Sequence, residues 1–204
     1  MTKSERCASV FAFDAALWAS GLFFAGIDEA GRGPLAGCVM ASCVVMPQQP
    51  VIHYVYDSKQ LSEKQRSEVF AQIAEHAVYL GLGRAEVEEI DQLNILEATK
   101  LAMCRAAELA PASLFLVDAV TRVGLKGEER PIIAGDTVSY AIAAASIAAK
   151  VTRDREMLLL DRQYPEYGFA RHKGYGTKAH IEAIKKYGPS PVHRMSFLSR
   201  ILVS

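Results

Sequence analysis

The order of strand-like and helix-like segments constrains the fold of this chain most strongly. Three apolar, strand-like segments come first, at residues 22–28, 38–46 and 77–84. The short connection between the first two predicts an antiparallel pair. Helical patterns then alternate with short apolar strands, which is typical of an α/β domain with a mixed sheet. A chain of 204 residues is long enough for one domain with an ordinary core.

Several helices are predicted around these strands. Ser62 and Gln65 have the spacing of a capping box, which begins a helix that runs to about His76. The other predicted helices are a short amphipathic helix at 8–20, an acidic helical piece at 86–91, a helix at 94–109 and a long helix at 139–162. Between the last two lie a strand at 114–117, a variable loop at 121–130 and a short apolar run at 131–134.

The ends of the chain and the cysteines predict a cytoplasmic protein without a membrane segment. The apolar run at 35–46 is too short to span a bilayer. Asp14 interrupts the apolar stretch near the N-terminus, which argues against a signal peptide. The four cysteines contain no CxxC pair, so reduced, buried thiols are expected rather than a zinc site.

The charges balance overall but are segregated along the chain. The 23 Lys and Arg residues equal the 23 Asp and Glu residues, which gives no support for a basic coat. Between 171 and 200, however, Glu182 is the only acid, and tyrosines are interleaved with basic residues. This pattern favours a phosphate-binding surface to which His172, His180 and His193 add polar contacts. A solvated surface helix is the alternative.

Four carboxylates stand near the ends of predicted strands. Asp28 and Glu29 follow the first strand, Asp118 follows the strand at 114–117, and Asp136 precedes the long helix. If they converge, their repulsion requires a cation or bound protons, and oxygen ligands suit Mg²⁺ or Mn²⁺ better than zinc. Individually, Asp136 could cap a helix, Asp118 could be a turn residue and Glu29 could be solvated.

A glycine-rich turn follows the first pair of acids. Gly31 and Gly33 allow close approach of a ligand to the backbone, and the Arg32 guanidinium suits a phosphate or a neighbouring carboxylate. Beside an acidic metal site, this turn indicates phosphate-ester chemistry.

Ordered motifs over about residues 22–198 resemble those of ribonuclease HII, the type 2 ribonuclease H of bacteria. They are AGIDEAGRGPLAG at 25–37, DSKQLS at 57–62, EID and LNIL within 89–96, AASIAAKVTRD at 144–154, and YGF with HKGYGT within 167–177.

The resemblance implies a ribonuclease H-like fold, with a five-stranded mixed sheet flanked by helices and a C-terminal helical extension. The corresponding regions are a helical lead-in at 1–21, a catalytic domain at 22–163 and a basic, substrate-binding extension at 164–204. It implies cleavage of RNA in RNA–DNA hybrids and incision 5′ of single ribonucleotides in duplex DNA, leaving 3′-hydroxyl and 5′-phosphate ends. The expected enzyme is a monomer without a membrane partner.

The resemblance also assigns site residues. The catalytic, metal-binding acids fall on Asp28, Glu29, Asp118 and Asp136, and two Mg²⁺ or Mn²⁺ ions are expected with substrate, with Asp28 the best candidate to bridge them. The motif that senses the ribose 2′-hydroxyl falls on Gly31, Arg32 and Gly33. The full substrate-binding set is Gly31, Arg32, Gly33, Lys59, Ser146, Lys150, Lys173 and Tyr175.

One motif departs from the family pattern. The family usually has Asp-Gly-Asn or similar after the fourth strand, whereas this chain has Asp118-Ala119-Val120, so the local turn must differ. Three alternatives therefore stay open: a ribonuclease HIII-like enzyme that needs a run of ribonucleotides, a hybrid-binding module with weak catalysis, and a metal-binding structural protein. The Gly-Arg-Gly form counts against the first.

Overall fold

The computed structural model describes residues 3–202, with eight helices and five strands in that range. The strands are β1 Phe24–Ala30, β2 Val39–Val45, β3 Tyr79–Ala85, β4 Leu114–Asp118 and β5 Glu128–Ile132. The helices are α1 Lys3–Ala19, α2 Glu63–His76, α3 Val87–Leu93, α4 Ile95–Ala107, α5 Tyr140–Gln163, α6 Phe169–His172, α7 Lys178–Tyr187 and α8 Met195–Leu202. Among these helices, none is long and apolar enough to cross a membrane.

The strands form one mixed sheet in the order β3-β2-β1-β4-β5, which confirms the predicted fold class. β2 pairs antiparallel with β1 and β3, whereas β4 pairs parallel with β1 and β5. In the parallel pair, Ile27 lies opposite Val117. The next residue of each strand is an acid, Asp28 and Asp118, so the topology brings both carboxylates to one end of the sheet.

Helices cover both faces of the sheet because small residues permit close contact. On one face, α4 packs its buried Ala98, Ala102 and Ala106 against the strands. On the other, alanine-rich α5 crosses β1 so closely that a Cβ at Gly26 would lie 2.1 Å from the Ala141 carbonyl carbon. This crossing fixes α5 beside the acidic end of β1.

The N-terminal helix is longer than the predicted 8–20 segment and locks onto the start of α5. The buried Asp14 carboxylate accepts a hydrogen bond from the Ala141 N–H at 2.8 Å. Burial raises the pKa of Asp14 to about 6. The side chain of Ser139 caps α5, so the interpretation of Asp136 as the N-cap of this helix is wrong.

Two predicted boundaries were wrong around the site. β1 begins and ends two residues later than expected, so Asp28 and Glu29 lie within the strand, opposite Ser42 and Ala41. The predicted 121–130 loop contains the first three residues of β5. Because β5 is an edge strand, it tolerates charged side chains and Pro131, which the apolar pattern could not reveal.

Candidate active site

Eight of the twelve predicted site residues line one cavity of about 350 Å³ at the acidic end of the sheet. The cavity lies between β1, the end of β4, the turn at Ser58–Gln60, α5 and the segment before α7. The eight are Asp28, Glu29, Gly31, Lys59, Asp118, Ser146, Lys150 and Tyr175, and Ala30, Ser58 and Arg153 complete the lining.

Three carboxylates share this cavity under strong mutual repulsion. Burial, followed by the charges of Glu29 and Asp118, raises the pKa of Asp28 well above its usual range. Burial also raises the pKa of Glu29 and of Asp118. The Glu29 Oε2 atom is buried without a hydrogen-bond partner among the described residues. The cavity therefore favours a positive charge.

The remaining predicted acid lies beside the cavity and is tied to it by two contacts. Asp118 Oδ1 accepts a hydrogen bond from the Gly135 N–H at 2.6 Å, which holds the turn that carries Asp136. Asp136 Oδ2 lies 3.4 Å from Lys59 Nζ, and this charge raises the pKa of Lys59. The lysine therefore offsets part of the acidic charge of Asp136.

The turn after Asp118 has an unusual backbone conformation. Ala119 has a φ of 50°, in the left-handed region that favours glycine. Its N–H donates to the Ile132 carbonyl at 3.0 Å. A glycine or asparagine would fit this conformation more easily than alanine does.

The Gly-Arg-Gly turn forms the rim of the cavity. Arg32 and Gly33 are exposed, and a Cβ at Gly33 would lie 3.6 Å from the Tyr175 ring. The Arg32 guanidinium lies 3.5 Å from Glu29 Oε1. Lys173, by contrast, turns its ammonium to the Ala170 carbonyl at 2.7 Å, away from the cavity lining.

Two buried arginines bind the backbone of this turn and of the segments beside it, and sequence reasoning missed both. Arg153 is 1% exposed and Arg194 is 0% exposed. Arg153 donates to the carbonyls of Ala36, Cys38 and Lys173. A basic residue in a polar segment gives no signal of burial, and Arg194 was grouped with the surface charges of the basic segment.

The sequence analysis expected His180 and His193 to add polar contacts to a phosphate-binding surface, and this expectation is wrong. His180 and His193 are buried and pack around Phe169, with their Nε2 atoms 3.0 Å apart. The Ser190 N–H donates to His193 Nδ1, so the neutral His193 donates through Nε2 to His180, which donates through Nδ1 to the Tyr175 carbonyl. The histidine pair therefore holds the backbone of Tyr175 through a hydrogen bond to its carbonyl.

Comparison with known proteins decides the family. The sequence model of the ribonuclease HII family matches residues 25–200 of this chain. The chain belongs to the ribonuclease HII family. Ribonuclease HII from Clostridioides difficile is 56% identical over 184 residues, which cover 89% of this chain and 72% of the relative. Membership makes the chain a type 2 ribonuclease H hydrolase and implies endoribonuclease activity on RNA–DNA hybrids.

Solved structures share the fold. The structure of the PCNA:RNase HII complex from Archaeoglobus fulgidus aligns with a TM-score of 0.74 and 24% identity, and covers 87% of this chain and 96% of that chain. A structure of Bst-RNase HIII in complex with Mn²⁺ aligns with a TM-score of 0.68 and 18% identity, over 89% of this chain and 70% of that chain.

The donor set in this ribonuclease HII-family chain fits a hard divalent cation. Buried carboxylates with raised pKa values and the unpartnered Glu29 Oε2 supply oxygen ligands that gain from a positive charge. Within residues 3–202, no group of three or more His, Cys, Asp or Glu side chains is placed to hold a metal ion. Mg²⁺ commonly uses one or two carboxylates and takes its other ligands from water and substrate phosphate, so the site does not need a complete protein cage.

Proposed function

We propose that this enzyme incises duplex DNA 5′ of single embedded ribonucleotides and cleaves the RNA strand of RNA–DNA hybrids, leaving 3′-hydroxyl and 5′-phosphate ends. One observation carries the proposal: the carboxylates of Asp28, Glu29 and Asp118 share a cavity with Gly31 and Tyr175. A hydrolytic centre and a glycine turn that admits a ribose therefore adjoin each other.

The carboxylates of Asp28, Glu29, Asp118 and Asp136 would hold Mg²⁺ or Mn²⁺, two ions with substrate bound. A divalent ion in such a site polarises the phosphate and lowers the pKa of a bound water. Asp28 is the best candidate for a bridging ligand because it is buried beside the charges of both Glu29 and Asp118, which raise its pKa well above the usual range. Lys59, with its ammonium freed from Asp136, would contact a substrate phosphate.

The remaining contacts come from the rim and the C-terminal extension. The exposed Tyr175 ring beside Gly33 offers a stacking surface for a sugar or base. Lys150 and Ser146 face the cavity from α5, and Lys173 completes the proposed set through the segment that Arg153 holds. In the 164–204 extension, exposed lysines on α7 are placed for the duplex backbone: Lys178, Lys185 and Lys186.

The proposed enzyme works as a monomer in the cytoplasm. One chain by itself supplies both the carboxylates and the glycine turn that the proposed chemistry uses. The four cysteines are free thiols, which suits a reducing compartment. The 1–21 lead-in contributes α1, which supports α5 through Asp14.

The test compares four labelled duplexes of one sequence, with Mg²⁺ or Mn²⁺: a single ribonucleotide, a run of four ribonucleotides, a full RNA–DNA hybrid and all-DNA. We expect cleavage of the first three duplexes. One product should carry a 3′-hydroxyl that a polymerase extends, and the other a 5′-phosphate that a ligase accepts. Cleavage of the all-DNA duplex at the same rate would refute the role of the 2′-hydroxyl. Cleavage only of the run and the hybrid would favour a ribonuclease HIII-like requirement.

A further inference from the structure

Arg194 uses its whole hydrogen-bonding capacity on backbone carbonyls of the Gly-Arg-Gly turn and of the residues that follow it, as far as Cys38. A guanidinium has five N–H donors. Its Nε donates to Gly37, one terminal nitrogen donates to Arg32 and Pro34, and the other donates to Gly31 and Cys38, at N···O distances of 2.7–3.0 Å. Within the part of the chain that the structure describes, no carboxylate lies within ion-pairing distance of Arg194.

These contacts fix the direction of two peptide groups. In a planar trans peptide, the carbonyl of one residue and the N–H of the next point in opposite directions. Because the carbonyls of Gly31 and Arg32 point at the buried guanidinium, the N–H groups of Arg32 and Gly33 point away from it, on the exposed side of the turn.

The N–H groups of Arg32 and Gly33 are free to bind a ligand, whereas the next N–H along the chain, that of Leu35, is already bonded. The Leu35 N–H donates to the Gly174 carbonyl at 2.8 Å, and Pro34 has no N–H. Between residues 3 and 202, neither the Arg32 N–H nor the Gly33 N–H has a protein acceptor. The turn thus presents two adjacent, unused donors beside Glu29 and Tyr175.

We propose that Arg194 is a positioning residue for ribose recognition, which aims the Arg32 and Gly33 amides at the 2′-oxygen of the substrate. The inference rests on the proposed function and adds a specificity-determining residue to it. Arg194 itself is 0% exposed and therefore out of reach of a substrate, so it acts only through the turn. A lysine there keeps the charge but offers three donors, and therefore leaves at least two of the five carbonyls unbound.

The experiment measures the affinity of each variant for a duplex with one ribonucleotide and for the same all-DNA duplex. Ca²⁺ replaces Mg²⁺ as an oxygen-ligating cation so that bound duplexes stay uncut. We expect Arg194→Lys to lower the preference for the ribonucleotide duplex by about threefold or more, the loss of one or two neutral hydrogen bonds. Its affinity for all-DNA duplex should stay close to that of the wild-type protein.

Ile73→Ala serves as the control for lost stability, because Ile73 is a fully buried residue of α2 whose core cluster contains no residue of the turn. It should keep the wild-type preference. An unchanged preference in folded Arg194→Lys, or an equal loss in Ile73→Ala, would overturn the inference. A wild-type protein that prefers the ribonucleotide duplex but fails to incise it would instead refute the proposed function.

A measurement on the wild-type protein covers the case in which Arg194→Lys does not fold. The NMR amide signals of Arg32 and Gly33 should shift more with the ribonucleotide duplex than with all-DNA duplex. Equal shifts would show that the two amides do not read the 2′-oxygen, and would overturn the inference.

Discussion

The buried histidine pair predicts a specific loss of stability in acid. His193 is 2% exposed, and burial, followed by the charge of His180, lowers its pKa from 6.5 to about 4. The unfolded chain therefore takes up a proton below pH 6.5 that folded His193 refuses, so stability falls as pH drops toward 4. Between pH 7.5 and 4.5, linkage gives a loss of about 2.5 kcal/mol from this group alone.

Urea unfolding at the two pH values isolates this contribution when wild-type protein is compared with His193→Gln. The variant should lose about 2.5 kcal/mol less on acidification, because it lacks the His193 imidazole whose pKa is lowered by folding. His53→Gln, which removes a surface histidine, is the matched control and should follow the wild-type protein. Equal losses in wild-type protein and His193→Gln would refute the neutral hydrogen-bonded chain through His180.

Three further predictions follow from the fold and the site. Gly26→Ala places a Cβ 2.1 Å from the backbone of α5 and should lower the free energy of unfolding in urea by about 3 kcal/mol or more. A loss of less than half of that would contradict the close crossing of α5 over β1. Ala119→Gly should raise the free energy of unfolding by about 1 kcal/mol, since φ there is 50°, and no gain would show that the turn is unstrained. EDTA should abolish hybrid cleavage without changing the circular dichroism, and Mg²⁺ or Mn²⁺ should restore it; activity that persists in EDTA would contradict a metal requirement.

The convergence of the acids was predictable because it depends on local pattern and simple topology. Asp28 and Asp118 each directly follow an apolar run, and parallel pairing of β1 with β4 places the two residues together. The capping box at Ser62 and the long α5 also followed from sequence. Asp136 reached the site through a turn whose geometry depends on the Asp118–Gly135 hydrogen bond, which no local signal reveals.

The buried residues behind the site could not be predicted from the sequence, for a physical reason. Arg194 lies beside ordinary polar residues in sequence, and its burial depends on carbonyls more than 150 residues away. His180 and His193 likewise share a segment with exposed lysines, so charge pattern alone predicted a uniform surface. The first three residues of edge strand β5 were assigned to a loop because the side chains of an edge strand do not need to be apolar.

The rate of RNA–DNA hybrid cleavage by Asp28→Asn tests the central claim most directly, namely that the buried carboxylates form the hydrolytic centre. We predict a loss on the order of a hundredfold or more, with the variant still folded. Glu75→Gln, the same type of change on the exposed face of α2, should keep the wild-type rate. Hybrid cleavage by Asp28→Asn at a rate close to that of the wild-type protein would contradict the account.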